Sequence, residues 1–434
     1  MTERANTGVS RRDFLGTALA GGAAITIGGL LPGDAGAQSR GLHQRAKHVV
    51  LLDWDGFDPD YLRRAATPNI DALAARGSLT TARCSYRSIS NPARATMSTG
   101  AYPEVHGNVA YVFDPATGTA QGQSRALVAE TIAERLAAQG RNVASVQWYM
   151  VQDHGTTYGD PEHLYVQPGG PFATRVDAAI EILNLRPVNS GGTLVTVPRI
   201  PDLLAIYGSD LDGLGHNEGP DSPNIAPMLA ELDRQVGRVV QATRDVGIYD
   251  ETAFMLTSDH GMTTWDRTLI PVVLAAIQAA GYAPEIVTPG NAPATASEVI
   301  IVPNAVRNGA ITLRGRAATS AGRRKVTRAL ERLDEISRVL DRGDLRRLHA
   351  SMKEGDLIAE ATPPWGFATS VPADGSPRGS HGSLSEMEVP LLLAGAGVRR
   401  HDRPRHPELV DVAPTIAELL GVRPPALAQG RSLV

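Results

Sequence analysis

The sequence predicts an α/β protein: a three-layer α/β/α sandwich around a mostly parallel sheet, with an inserted cap. Three observations carry that expectation. Short, nearly continuous apolar runs recur at 47–54 (KHVVLLDW), 203–207, 252–257 and 389–394, and such runs fit strands buried on both faces. Amphipathic helical patterns of ten or more residues alternate with them. Chemically useful polar residues cluster just past the C-terminal ends of these runs, where open α/β sheets bind ligands.

Taken in order, the run 47–54 leads into Asp55-Gly56, an acidic residue at a strand's C-terminal end. Thr67-Pro68 opens a helix through Ala75, with Gly77 as its stop. A helix at 127–138 and a strand at 142–147 follow. Asp210 and Asp212 lie just past the strand 203–207. A long helix is read at 223–246, and the strand 252–257 runs into Ser258-Asp259-His260-Gly261. A late strand at 389–394 and a closing helix at 410–420 complete the core. Between Gly261 and Gly379 the strands weaken and Pro-rich joints enter. A charged helix at about 321–340 alternates signs like a solvated face. This stretch is the expected cap, at about 265–375, within a catalytic domain of 38–434. The Gly-rich, polar segment 105–200 is a place for a second insertion.

Composition narrows the function. A chain of 434 residues, 42 % hydrophobic and 20 % charged, has globular rather than disordered character. Its net charge of −4 offers no basic surplus for coating a nucleic-acid polymer. A single cysteine, Cys84, excludes an intrachain disulfide framework and a cysteine-based zinc site. Residues 1–37 are read as a cleaved export signal: Arg11-Arg12, an apolar stretch from Leu15 to Leu31, then Ala35-Gly36-Ala37. The paired arginines and the Gly-rich apolar stretch resemble a twin-arginine signal. The resemblance implies a twin-arginine export partner and a periplasmic or secreted destination. Seventeen residues with five glycines are too short and weakly apolar for a comfortable membrane span, and no other apolar segment is long enough.

Four separated stretches carry the chemistry: Asp55; Ser90 in Ser88-Ile89-Ser90-Asn91-Pro92-Ala93-Arg94; Asp212 with His216; and Asp259-His260, with His381 far along the chain. Each alone fits a turn, a cap or a loop polar. Together, three aspartates and three histidines suit two adjacent divalent ions. The mixed carboxylate and imidazole set favours Zn²⁺ or a similar first-row ion over Mg²⁺ or Ca²⁺. Two such ions can clamp the attacking and leaving oxygens of an in-line displacement. A serine beside them, at a helix start that favours anions, would be activated as a nucleophile.

The order Asp55-Gly56-Phe57, Thr67-Pro68-Asn69-Ile70, Ser90-x-Pro92, Thr99-Gly100-x-Tyr102-Pro103, Asp212-x-x-x-His216, Asp259-His260-Gly261-Met262 and His381-Gly382 resembles the alkaline phosphatase superfamily. Its type I phosphodiesterase/nucleotide pyrophosphatase branch is the nearest in pattern, over about 47–420. The resemblance implies an alkaline-phosphatase-like fold and a small-molecule phosphate ester substrate. It places one ion on Asp212, His216 and His381 and the other on Asp55, Asp259 and His260. Ser90 becomes the nucleophile of a phosphoseryl intermediate that water hydrolyses. The segment 363–367 (PPWGF) resembles the strand leading back from the family's cap.

Three departures stand out. The branch usually has Thr where Ser90 stands, a mild change since both offer a hydroxyl. It usually has an aromatic platform for the nucleobase where Asn91 stands. Its phosphate-binding Asn would fall near Tyr111, leaving Asn91, Asn108 and Arg94 as candidates for contacts to substrate. Two rival enzymes share the scaffold. A phosphomonoesterase needs an additional cation for the extra charge, a part Arg94 could take. A sulfatase would mature Ser90, in Ser90-x-Pro92-x-Arg94, to formylglycine. Sulfatases resemble one-metal enzymes with adjacent aspartates, whereas Trp54 separates Asp53 from Asp55 here and the Asp212, His216 and His381 trio is complete. A ligand-binding protein on a dead scaffold would not need the nucleophile.

Overall fold

Strand β1 (His48–Trp54) runs through the middle of a seven-stranded sheet, and six of its seven residues are buried. The computed structural model describes residues 45–434; the export signal read over 1–37 lies outside them. The other strands of this sheet are β2 (Gly77–Arg83), β3 (Val143–Val146), β4 (His163–Val166), β5 (Leu203–Gly208), β6 (Thr252–Thr257) and β7 (Glu388–Gly395). Their spatial order is β2-β7-β6-β1-β5-β3-β4. Strands β6, β1, β5, β3 and β4 are mutually parallel. Strand β7 runs antiparallel to both β6 and β2.

Side-chain alternation along β1 builds the layers. Val49 and Leu51 join a core with Ala93 and Met97 of α2 (Ser90–Thr99), Ile132 and Leu136 of α3 (Ile132–Ala137) and Ile416 of the closing helix Val412–Leu420. Val50, Leu52 and Trp54 face the other way. They pack with Ile70 of α1 (Pro68–Ala74), Val176 of α4 (Phe172–Leu183) and Leu229 and Val236 of α6 (Ile225–Asp245). The chain is therefore α/β, with helices on both faces of a mostly parallel sheet, and β1 needs its continuous apolar run to satisfy both cores.

Several boundaries differ from the sequence reading. The helix expected at 127–138 begins only at Ile132, because Thr131 and Glu134 form a reciprocal capping box. The region past β5 is helical: α5 (Asp210–Glu218) carries Asp212 and His216. The charged helix read to residue 340 stops at Glu331, and Ile336–Asp341 is a strand paired with Leu357–Ala361.

Within the inserted stretch, Pro284–Ile286, Val299–Asn304, Asn308–Leu313, Leu357–Ala361 and Ile336–Asp341 form a separate five-stranded sheet in that order. Ile301, Ile311, Leu357 and Val326 give it its own apolar core. Trp365–Gly366 pairs with Arg267–Thr268 where the chain returns. Buried polar pairs tie this sheet to the main body: Arg87 with Glu354 at 2.8 Å, Arg307 with Glu386 at 3.1 Å, and the Tyr86 hydroxyl donating to Glu360 at 2.9 Å.

Burial, with Glu386 nearby, raises the Glu360 carboxyl to about 7. A carboxyl raised on folding holds its proton in the folded state after the unfolded chain has lost it. Stability is therefore full below the ordinary carboxyl pKa and declines as pH rises through about 7. Glu360→Gln keeps the acceptor for Tyr86 and for the Leu384 amide and removes the titration. It is expected to raise the melting temperature at pH 8, by up to about 3 kcal/mol in stability, with the gain shrinking towards pH 5. A gain that does not depend on pH would contradict the assignment.

Candidate active site

The site is assembled at the C-terminal edge of the parallel strands. Asp55 follows β1, Asp259 and His260 follow β6, and Asp212 and His216 stand one turn apart on α5, after β5. Gly56 makes this possible. Its φ is +67°, and a Cβ there would lie 2.9 Å from the Asp212 Cα, so only glycine lets the β1 turn lie against α5. His381 arrives from far along the sequence. Thr263–Trp265 pairs antiparallel with Arg378–Ser380, matching Thr263 to Ser380. This ribbon sets the His381 ring parallel to His260 at 3.4 Å.

The six side chains converge. Ligand-type atoms of Asp55, Asp259 and His260 lie within 4.8 Å of one another, and so do those of Asp212, His260 and His381. His216 stands beside them, its Nε2 3.2 Å from Asp212 Oδ1. His260 Nε2 sits 3.3 Å from Asp55 Oδ1 and 3.1 Å from Asp259 Oδ2.

All three histidines are oriented alike. Nδ1 of His216 meets the Gly379 carbonyl at 2.9 Å, that of His260 the Gly261 carbonyl at 3.0 Å, and that of His381 the Ser88 carbonyl at 2.8 Å. A carbonyl only accepts, so each Nδ1 carries the hydrogen and each Nε2 lone pair faces the carboxylates. Among the described residues, Asp55 Oδ1 and Asp212 Oδ1 are buried without a hydrogen-bond partner. Orphaned acceptors and three aligned imidazoles form a donor set that fits divalent cations.

The electrostatics agree. Burial works against a charged His260, but Asp259 and Asp55 outweigh it and raise its affinity for a proton well above the ordinary value; the same field favours a cation. Burial and the neighbouring imidazoles hold His381 well below it. Burial, with Asp55 nearby, raises Asp212. Burial also opposes the charge on Asp55, yet Arg94, His260 and the Tyr207 hydroxyl keep its carboxyl well below the usual range.

Ser90 is the first residue of α2, and its Oγ lies 3.3 Å from His260 Nε2. The helix N-terminus there favours negative charge. The three candidates for substrate contact have the following partners. Arg94 is fully buried and points beneath the site: Nε meets Asp53 at 2.6 Å, and Nη1 meets Asp259 at 2.8 Å and Asp55 at 3.0 Å. In this arrangement it is a partner of carboxylates. Asn108 is also buried, with its amide donating to the Ser124 and Ala126 carbonyls. It holds a loop. The Asn91 side chain donates to the Ser124 carbonyl, and its backbone amide is capped by Gln123 Oε1.

Several participants were missed in the sequence. Asp53 and Tyr207 share one register of the sheet, and the Tyr207 hydroxyl donates to Asp55 Oδ2 at 2.7 Å. Trp148 Nε1 donates to Asp53. A polar-tipped aromatic at the end of a buried strand was the available signal for Tyr207. Ser88 was missed because its roles are to accept from His381 by its carbonyl and to bridge Ser383 and Gly382 by its hydroxyl.

Known proteins point the same way. The family model for type I phosphodiesterase/nucleotide pyrophosphatase matches residues 49–384. An uncharacterised pyrophosphatase/phosphodiesterase of Schizosaccharomyces pombe is 30 % identical over 261 residues, covering 56 % of this chain and 50 % of the relative. The bis(5'-adenosyl)-triphosphatase enpp4 of Xenopus laevis is 30 % identical over 224 residues, covering 49 % of this chain and 47 % of the relative. The chain thus spans about half the length of the curated relatives it matches. Human ectonucleotide pyrophosphatase/phosphodiesterase 5 superposes with a TM-score of 0.66 at 21 % identity, over 87 % of this chain and 96 % of that one. An inactive form of the murine protein, in complex with AMP, gives 0.67 at 19 % identity over 89 % and 97 %. These structures share the alkaline-phosphatase-like fold. The chain belongs to the type I phosphodiesterase/nucleotide pyrophosphatase family of the alkaline phosphatase superfamily.

Proposed function

We propose that this chain is an exported phosphoric diester and nucleotide pyrophosphate hydrolase with a serine nucleophile and two divalent ions, zinc being the expected metal. The carrying observation is the convergence of Asp55, Asp212, His216, Asp259, His260 and His381 beside one hydroxyl, Ser90 Oγ. When bound, such ions lower the pKa of the serine hydroxyl and neutralise charge on the attacking and leaving oxygens. Asp55, Asp259 and His260 would hold one and Asp212, His216 and His381 the other.

Ser90 gives its hydroxyl proton to solvent as its Oγ attacks phosphorus in line. The bond to the leaving oxygen breaks, and that oxygen takes a proton from solvent. Water then attacks the phosphoseryl group, the P–Oγ bond breaks, and a proton returns to Ser90. The dipole of α2 favours the anionic group throughout. A nucleotide-like phosphoric ester is supported by the adenosine-containing substrate in the Xenopus relative's name and by the AMP complex of the murine neighbour. Diester preference is supported by Arg94. The guanidinium that could answer a monoester's additional charge is spent on Asp53, Asp55 and Asp259. Residues 1–37 direct export to the periplasm or medium; among the described residues no helix is long and apolar enough to cross a membrane.

A substrate panel tests the reading. Metal-loaded enzyme is expected to favour bis-p-nitrophenyl phosphate over p-nitrophenyl phosphate by at least about tenfold in kcat/KM, a gap of about 1.4 kcal/mol. A monoester preference would reject the diester assignment. Turnover of p-nitrophenyl sulfate, with formylglycine at position 90 by mass spectrometry, would make the chain a sulfatase.

A further inference from the structure

Among the described residues, every nitrogen of the buried Arg94 guanidinium is engaged. Nε and Nη2 grip both oxygens of Asp53, at 2.6 and 3.3 Å. Nη1 spans Asp55 Oδ2 at 3.0 Å, Asp259 Oδ2 at 2.8 Å and the Tyr149 hydroxyl at 3.0 Å. The Tyr207 and Tyr149 rings lie 4.5 and 5.4 Å from its Cζ. Asp53 belongs to neither ligand group; besides Arg94, it is held by Trp148 Nε1 at 3.1 Å.

This bracket dictates how the two neighbouring carboxylates present themselves. Asp55 Oδ2 is covered by Arg94 and by the Tyr207 hydroxyl, which leaves Oδ1, the orphaned buried acceptor, turned to His260. Asp259 Oδ1 receives the Gly56 amide and the Ser258 hydroxyl, at 3.2 and 3.3 Å. Its Oδ2 is shared between Arg94 and His260. Without a fixed cation, Asp53, Asp55 and Asp259 would repel one another in a buried space. A planar fork can bridge three carboxylates at fixed angles, and an ammonium cannot. Arg94 also stands one turn beyond Ser90 on α2, so the same helix carries the hydroxyl and the bracket.

We propose that Arg94, anchored by Asp53, is a positioning residue: it fixes Asp55 and Asp259 as one-oxygen ligands and sets Ser90 in register with them. This rests on the ion-binding reading above. The test uses the full mature chain and its Arg94→Lys, Arg94→Gln and Asp53→Asn variants. Zn²⁺ alone is titrated against a chromogenic chelator, and kcat and KM are measured separately on bis-p-nitrophenyl phosphate. Both Arg94 variants are expected to bind one Zn²⁺ at least tenfold more weakly while keeping the other. Their kcat should fall at least 100-fold, with KM changed less than threefold. Asp53→Asn should shift the same quantities in the same direction by less, and it decides the matter if the Arg94 variants do not fold.

Wild-type Zn²⁺ affinity in Arg94→Gln, with only a lower melting temperature, would reduce Arg94 to a structural residue and overturn the proposal. A raised KM at constant kcat would place Arg94 on the substrate and do the same. Full recovery in Arg94→Lys would overturn the bridging-fork argument. Failure of the wild-type chain itself to bind Zn²⁺ would bring down the proposed function and this inference with it. Two ions bound equally by wild type and variants would sink the inference alone.

Discussion

Ser90→Ala is expected to lower kcat by on the order of 10⁴-fold or more while two equivalents of divalent ion remain bound. The expectation follows from what Ser90 does and does not touch. Among the described residues its Oγ has one hydrogen-bond neighbour, His260 Nε2 at 3.3 Å. It is not the cap of α2, because that position belongs to Ile89, and no side-chain cap bond starts the helix. Removing the hydroxyl should therefore change stability by no more than about 0.5 kcal/mol, and loss of rate can be read as loss of chemistry. None of the six ligand-type residues is altered, so ion stoichiometry should hold. Ser90→Thr keeps a hydroxyl and should retain a substantial part of the rate. Undiminished turnover in Ser90→Ala would mean that water attacks the substrate directly; loss of an ion would mean that the serine belongs to the coordination shell in a structural sense. Either result would remove the phosphoseryl intermediate from the scheme.

The residues legible in the sequence are those whose position follows from a strand's end. Asp55, Asp259 and His260 sit where β1 and β6 stop, and a strand buried on both faces announces itself by its apolar run. Asp212 and His216 were readable as types, but the helix under them was not: Asp210–Glu218 contains two glycines and little apolar periodicity, and its neighbours stabilise it. The antiparallel direction of β7 is equally silent, since a buried strand has the same composition either way round. Residues 336–341 (ISRVLD) read as a continuation of a charged helix, yet pairing with Leu357–Ala361 makes them a strand. Arg94 is the instructive case. Its spacing from Ser90 puts both on one side of α2, but whether a long side chain rises to the substrate or dips under the site depends on Asp53, 41 residues earlier. Only the folded sheet shows that Asp53 lies beneath the helix.

Chelation is expected to abolish activity, by at least about 10³-fold, and Zn²⁺ or Mn²⁺ to restore it. The reason is a charge balance internal to this chain. Asp53, Asp55, Asp212 and Asp259 lie in or around the site, and Arg94 is the cation paired with three of them. Among the described residues Asp212 Oδ1 and Asp55 Oδ1 face only the His216 and His260 imidazoles, at 3.2 and 3.3 Å, so bound cations are expected to relieve their buried charge. Ligands that bind the folded state alone stabilise it by about 4 kcal/mol each at a free concentration 1,000-fold above Kd. Activity and melting temperature should therefore fall together on chelation and recover together. Asp212→Asn, which removes a formal charge at nearly constant volume, should release one ion, keep the other on Asp55, Asp259 and His260, and lower kcat by on the order of 10³-fold. Its melting temperature should be less sensitive to chelator than that of the wild type, because one fewer ion is there to lose. Full turnover in excess chelator, with no change in melting, would show that the six side chains are held together by their own hydrogen bonds and that Ser90 acts without ions.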